Sequence, residues 1–132
     1  MTNPPPTPTP APATSPARIT NHANGSTLRG TSVTFDWSAA SGPNPVRYYS
    51  VYVGSTPPGD PCTPGSYCKE PGRDAFASTN IGSATGLSPS QTSATITGLP
   101  ANGSTIYVRL FTKYQPESGV LAWRDYTYTS SP

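Results

Sequence analysis

Groups able to do acid–base or nucleophilic chemistry are scarce in this chain. Histidine occurs once, at His22, and the carboxylates are Asp36, Asp60, Glu70, Asp74, Glu117 and Asp125. Serines are plentiful, but none stands in a Gly-x-Ser-x-Gly turn or has a histidine within a recognisable triad pattern. Glu70 and Asp74 lie four apart in a Gly/Pro-rich stretch, which reads as a solvated loop pair and not as a glycosidase acid/base pair. No glycine loop of the phosphate-cradling kind is present. Two cysteines and a distant histidine do not make a tetrahedral metal set, so no metal or other cofactor is expected. Charged residues are 11% of the chain and the net charge is +2. The cations Arg18, Arg29, Arg47, Lys69, Arg73, Arg109, Lys113 and Arg124 are scattered, with no basic stripe to neutralise a phosphate backbone. No apolar run approaches the roughly 18 residues of a membrane span. An enzyme, a nucleic-acid partner and membrane insertion are therefore all disfavoured.

What is there divides sharply. Residues 1–16, MTNPPPTPTPAPATSP, hold seven prolines and no charged side chain. Prolines fix φ and donate no hydrogen bond, so this stretch is expected to be an extended polyproline II arm, about 3.1 Å per residue and about 50 Å long. Residues 17–132 are rich in Thr, Ser, Tyr and Val, with Gly and Pro every few positions, a composition that favours strands joined by turns. Met1 is followed directly by the arm, with neither a basic nor an apolar leader segment, so no secretion signal is expected.

Alternation places the strands. Val33, Phe35 and Trp37 share one face of Ser32–Trp37. Tyr49, Val51 and Val53 share one face of Val46–Val53, with Tyr48, Ser50 and Tyr52 opposite. Thr105–Lys113 separates Ile106, Val108 and Leu110 from Tyr107, Arg109 and Phe111. Ala17–Thr20, Ser93–Thr97 and Val120–Tyr128 complete the regular strands, and shorter ones are expected near Asp74–Ser78 and Asn80–Ser83. About seven strands with turn signals between them give an all-β antiparallel sandwich. Asn24-Gly25-Ser26-Thr27 recurs as Asn102-Gly103-Ser104-Thr105, which is turn chemistry before it is a glycosylation signal. Cys62 and Cys68 bracket Thr-Pro-Gly-Ser-Tyr. A disulfide across so short a loop would contribute about 2 kcal/mol and imply an oxidising compartment. The alternative is two free thiols.

From Ser32 to Thr129 the chain resembles fibronectin type III and related bacterial immunoglobulin-like modules. SVTFDW (32–37), YYSVYVG (48–54) and ATITGLPANGSTIYVRL (94–110) carry the resemblance. It implies an immunoglobulin-like sandwich with Trp37 and Leu99 as core anchors and Tyr126 and Tyr128 on the last strand. Ile106 stands where such modules carry a corner tyrosine, and the stretch 60–73, with its two cysteines, looks like an insertion into the family pattern. The resemblance specifies a fold and no activity.

Two regions stand out for recognition. Tyr48, Tyr52, Tyr107 and Phe111, with Trp123, are expected on the outer face of one sheet. There they either form cross-strand pairs that stabilise the sheet, contact another protein, or stack on a sugar ring. The arm prolines Pro4, Pro5, Pro6, Pro8, Pro10 and Pro12 are the candidate anchor. The expectation is a non-catalytic display or adhesion module, extracellular or on a virion or cell surface, joined by its arm to a protein partner in a larger assembly. The alternative is a spacer or glycan-binding accessory module of a secreted bacterial protein, with surface polysaccharide as ligand.

Overall fold

The computed structural model describes residues 15–57, 80–115 and 121–132. Eight strands run in chain order: β1 Arg18–Ile19, β2 Thr27–Arg29, β3 Ser32–Ser38, β4 Val46–Gly54, β5 Asn80–Leu87, β6 Ser93–Thr97, β7 Thr105–Tyr114 and β8 Leu121–Ser131. They form a three-stranded sheet, β1-β3-β6, and a five-stranded sheet, β2-β8-β7-β4-β5, packed as a sandwich. No helix occurs among the described residues.

β3 shows the expected alternation: Val33, Phe35 and Trp37 are buried and the four residues between and beside them are exposed. The core joins both sheets through Phe35, Trp37, Ile96 and Leu99 on one side and Tyr49, Val51, Val53, Ile106, Val108, Leu110, Tyr126 and Tyr128 on the other. Phe35 lies 5.9 Å from Tyr128, and Trp37 meets Tyr49 edge-on at 5.8 Å. Each such side chain contributes about 1.5–3 kcal/mol on full burial, against which chain entropy must be set. Leu99 is fixed by its loop: Gly98 takes φ +79°, and the Leu99 N–H donates to Thr31 O at 3.1 Å. Gly82 on β5 has a different reason to lack a side chain, since a Cβ there would stand 2.9 Å from Ile96 Cγ2 of the opposite sheet.

Three features differ from the alternation pattern. β5 runs on to Leu87, beyond the expected Ser83. β2 is a strand that alternation does not reveal, because only Leu28 of its three residues is buried. It pairs parallel with β8, Leu28 opposite Ser130, in a sandwich otherwise antiparallel. β1 is confined to Arg18–Ile19, within the expected Ala17–Thr20, and pairs with β3. The expected strand at Asp74–Ser78 lies outside the described residues.

Candidate functional site

The outer face of the five-stranded sheet gathers four of the five aromatics singled out above. Register sets the rows. Ser50, Phe111 and Trp123 stand side by side across β4, β7 and β8, as do Tyr52, Arg109 and Asp125. Tyr107 lies opposite Gly54 and Thr127, and Tyr48 opposite Lys113. Tyr52 meets Phe111 at 5.9 Å with an interplanar angle of 87°, and Phe111 meets Trp123 at 5.7 Å. Both are edge or tilted geometries that suit the ring quadrupoles. Tyr107 packs against the same cluster.

Arg109 ties these rings to charge. Its Nε donates to Asp125 Oδ1 at 2.6 Å and its Nη2 to Oδ2 at 2.9 Å, a bidentate pair. The guanidinium carbon lies 4.8 Å from the Trp123 ring centroid and 5.8 Å from that of Phe111. Arg109 is buried at 5% exposure while the Asp125 side chain is 44% exposed, so the pair is screened from one side only. Farther along, burial pushes the Lys113 ammonium below its ordinary pKa, and the nearby Arg47 cation adds to the shift. Burial raises the Tyr48 phenol, an effect that Arg47 opposes.

This arrangement restricts what the face can offer. Phe111 and Tyr52 are buried, with 0% and 6% exposure. Accessible aromatic surface comes from Tyr48, Tyr107 and Trp123, each half-buried. His22 lies against Phe35 and Tyr128, with ring centroids 5.6 and 6.3 Å away. Its Nε2 lies 3.0 Å from Thr34 O and must donate, because a carbonyl only accepts. Among the described residues no group of three or more His, Cys, Asp or Glu side chains is placed to hold a metal.

Compared with known proteins, the chain matches no family model, no curated protein and no solved structure. Its class is therefore stated from its own geometry: eight strands in two packed sheets.

The second region is the root of the arm. Pro4, Pro5, Pro6, Pro8, Pro10 and Pro12 lie outside the described residues, as do Cys62, Cys68 and the stretch 60–73. Ser15 to Ile19, however, are fastened at four successive points. Ser15 and Ser41 exchange N–H···O bonds of 2.9 Å each way, and Ser41 O also accepts from the Tyr114 hydroxyl at 2.8 Å. Arg124 Nε donates to Pro16 O at 3.2 Å. The N–H of fully buried Ala17 donates to Thr112 Oγ1 at 3.0 Å. The Ile19 N–H donates to the Tyr126 hydroxyl at 2.9 Å. Nothing in the sequence marks Ser41 or Arg124 as a partner of this segment. Their partners lie far away in sequence, and the only local signal is Thr112, a hydroxyl on the apolar side of a buried strand.

Proposed function

We propose that this chain is a non-catalytic structural or adhesive module: an immunoglobulin-like sandwich of the fibronectin type III kind, held by residues 1–16 on a larger protein assembly such as a virion, filament or bacterial surface. The observation that carries the reading is the root of the arm. A spacer needs only a free joint, whereas Ser15, Pro16, Ala17 and Ile19 are each hydrogen-bonded to a sheet or to the loop at Ser41. Four ties within the five residues 15–19 fix where the chain enters the sandwich, which suits an anchor. The sandwich has a core shared by both sheets.

A second reading, a glycan-binding accessory module, draws support from the partial exposure of Tyr48, Tyr107 and Trp123. One experiment separates the two. The full chain and a version lacking residues 1–14 are tagged at the C-terminus, produced in the source organism and followed through sedimentation of its particles and envelopes. Anchoring predicts that the full chain sediments with an assembly and the shortened chain stays in the supernatant, with an unchanged urea midpoint. Sedimentation that survives the deletion contradicts it. Retention of both forms on insoluble polysaccharide favours the second reading.

A further inference from the structure

The path of the chain between Ala17 and Asn24 leaves part of β8 uncovered. This segment runs alongside β8, but at Arg18–Ile19 it pairs with β3 of the other sheet instead. It reaches β8 only later: Thr127 N donates to Asn24 Oδ1 at 2.8 Å, Gly25 N to Thr127 O at 2.8 Å, and Thr129 N to Ser26 O at 3.1 Å. In a strand, the backbone groups of alternate residues face the same side. Those of Thr127 and Thr129 face β2, so those of Trp123 and Asp125 face the same way. There they meet no backbone partner among the described residues. Two N–H and two C=O groups, with Trp123 about 6.8 Å from Asp125 along the strand, line an open strand edge.

The edge is one wall of a groove. An open cavity of about 480 Å³ is lined by Arg18, Trp123, Arg124, Asp125 and Tyr126, within the range of about 300–1,000 Å³ usual for binding clefts. Its charge is one-sided. The Asp125 carboxylate is taken by Arg109. Arg18 is exposed, Arg124 is half-buried with its Nε on Pro16 O, and neither forms an ion pair among the described residues.

We propose that this groove is a strand-addition site for an extended, acidic peptide segment of a partner protein. The partner's main chain would bond the free N–H and C=O groups of Trp123 and Asp125, and its carboxylates would face Arg18 and Arg124. Two other occupants fit poorly. The chain's own arm holds seven prolines and no carboxylate, so it lacks both the donors and the charge. A second copy would offer the edge of β5 or β6, neither of which carries a charged residue, or its own β8 edge, which would set Arg18 and Arg124 against the same cations of the other copy. The groove adjoins the root of the arm at Pro16, but its test reads peptide binding and not the arm's attachment.

The test pans a displayed library of ten-residue randomised peptides against the immobilised full chain, then maps enriched peptides by amide NMR on the labelled full chain. Expected are peptides rich in Asp and Glu and free of proline at alternate positions, which shift and protect the Trp123 and Asp125 amides. Arg18→Glu, a change at an exposed position, is expected to weaken their binding at least tenfold. No enrichment, enriched peptides without acidic residues, a footprint away from β8, or unchanged binding by Arg18→Glu each overturns the proposal. Concentration-dependent protection of the same amides without peptide also overturns it, in favour of self-association.

Discussion

The root of the arm and the outer aromatic face make their contacts in different ways. At the root, backbone groups bond to side chains and loops distant in sequence: Ala17 to Thr112, Ile19 to Tyr126 and Ser15 to Ser41. On the face, side chains mostly satisfy one another, with Phe111 between Tyr52 and Trp123 and Arg109 held by Asp125. The root spends its bonds on fixing where a segment leaves the sandwich. The face spends its rings on the sheet itself. Aromatic residues at outward register positions are therefore weak pointers to a binding surface until their burial is known.

The comparison breaks most readily at Phe111. If the outer face is part of the protein's stability, Phe111→Ala should cost about 3–5 kcal/mol, as for a core aromatic. If the face is merely surface, the cost should fall within about 0.5 kcal/mol of zero. Urea denaturation decides between them.

Asp125→Ala comes next. It deprives a buried guanidinium of its bidentate carboxylate, but Asp125 is itself 44% exposed, so solvent replaces part of what is lost. A cost of about 1–3 kcal/mol is expected by urea denaturation, with Asp125→Asn recovering some of it. The root is probed by Thr112→Val, which keeps the shape and removes the acceptor for the buried Ala17 N–H. About 1–2 kcal/mol should be lost, and hydrogen exchange at the Ala17 amide should accelerate more than at Val108. An unchanged Ala17 exchange rate would show that the root does not depend on this bond.

The gentlest probe is alkaline pH. Burial, and secondarily Tyr126, raise the Tyr128 phenol well above its ordinary value of 10. Its hydroxyl donates to His22 O at 3.0 Å. Below pH 10 the phenol is protonated in both folded and unfolded chains. Above it the unfolded chain ionises first, so stability falls as pH rises. Burial raises Tyr48 and Tyr114 as well, and they add to the same trend. Tyr128→Phe should lower stability at neutral pH and flatten the decline above pH 10, as read from urea midpoints across that range.

Much of the sandwich is legible in the sequence because alternation is a local signal. Val33, Phe35 and Trp37 place β3, and Ile106, Val108 and Leu110 place the inner face of β7, without reference to anything distant. All six are buried. Trp37 and Leu99, named as core anchors, are buried as well. β2 was not legible: a three-residue strand shows no period, and its pairing with the far end of the chain is set by where β8 lies. The burial of Tyr52 and Phe111 was hidden for a related reason. Alternation assigns a side chain to a face, but only the register of Phe111 against Trp123 and of Tyr52 against Arg109 shows that this face is closed over. The root ties and the gap along β8 are likewise products of tertiary path, since they arise where the chain crosses from one sheet to the other.

On the proposed function, the arm and not the aromatic face joins this sandwich to its surroundings. The most direct measurement compares two altered chains in the same sedimentation experiment in the source organism. One lacks residues 1–14, and the other keeps the arm but carries Tyr107→Ser and Trp123→Ser. The arm-deleted chain should lose association with the sedimenting assembly while its urea midpoint shifts by less than about 0.5 kcal/mol of stability. The face variant, though less stable, should remain associated. The reverse, association kept without the arm and lost with the face variant while that variant is still folded, would contradict it.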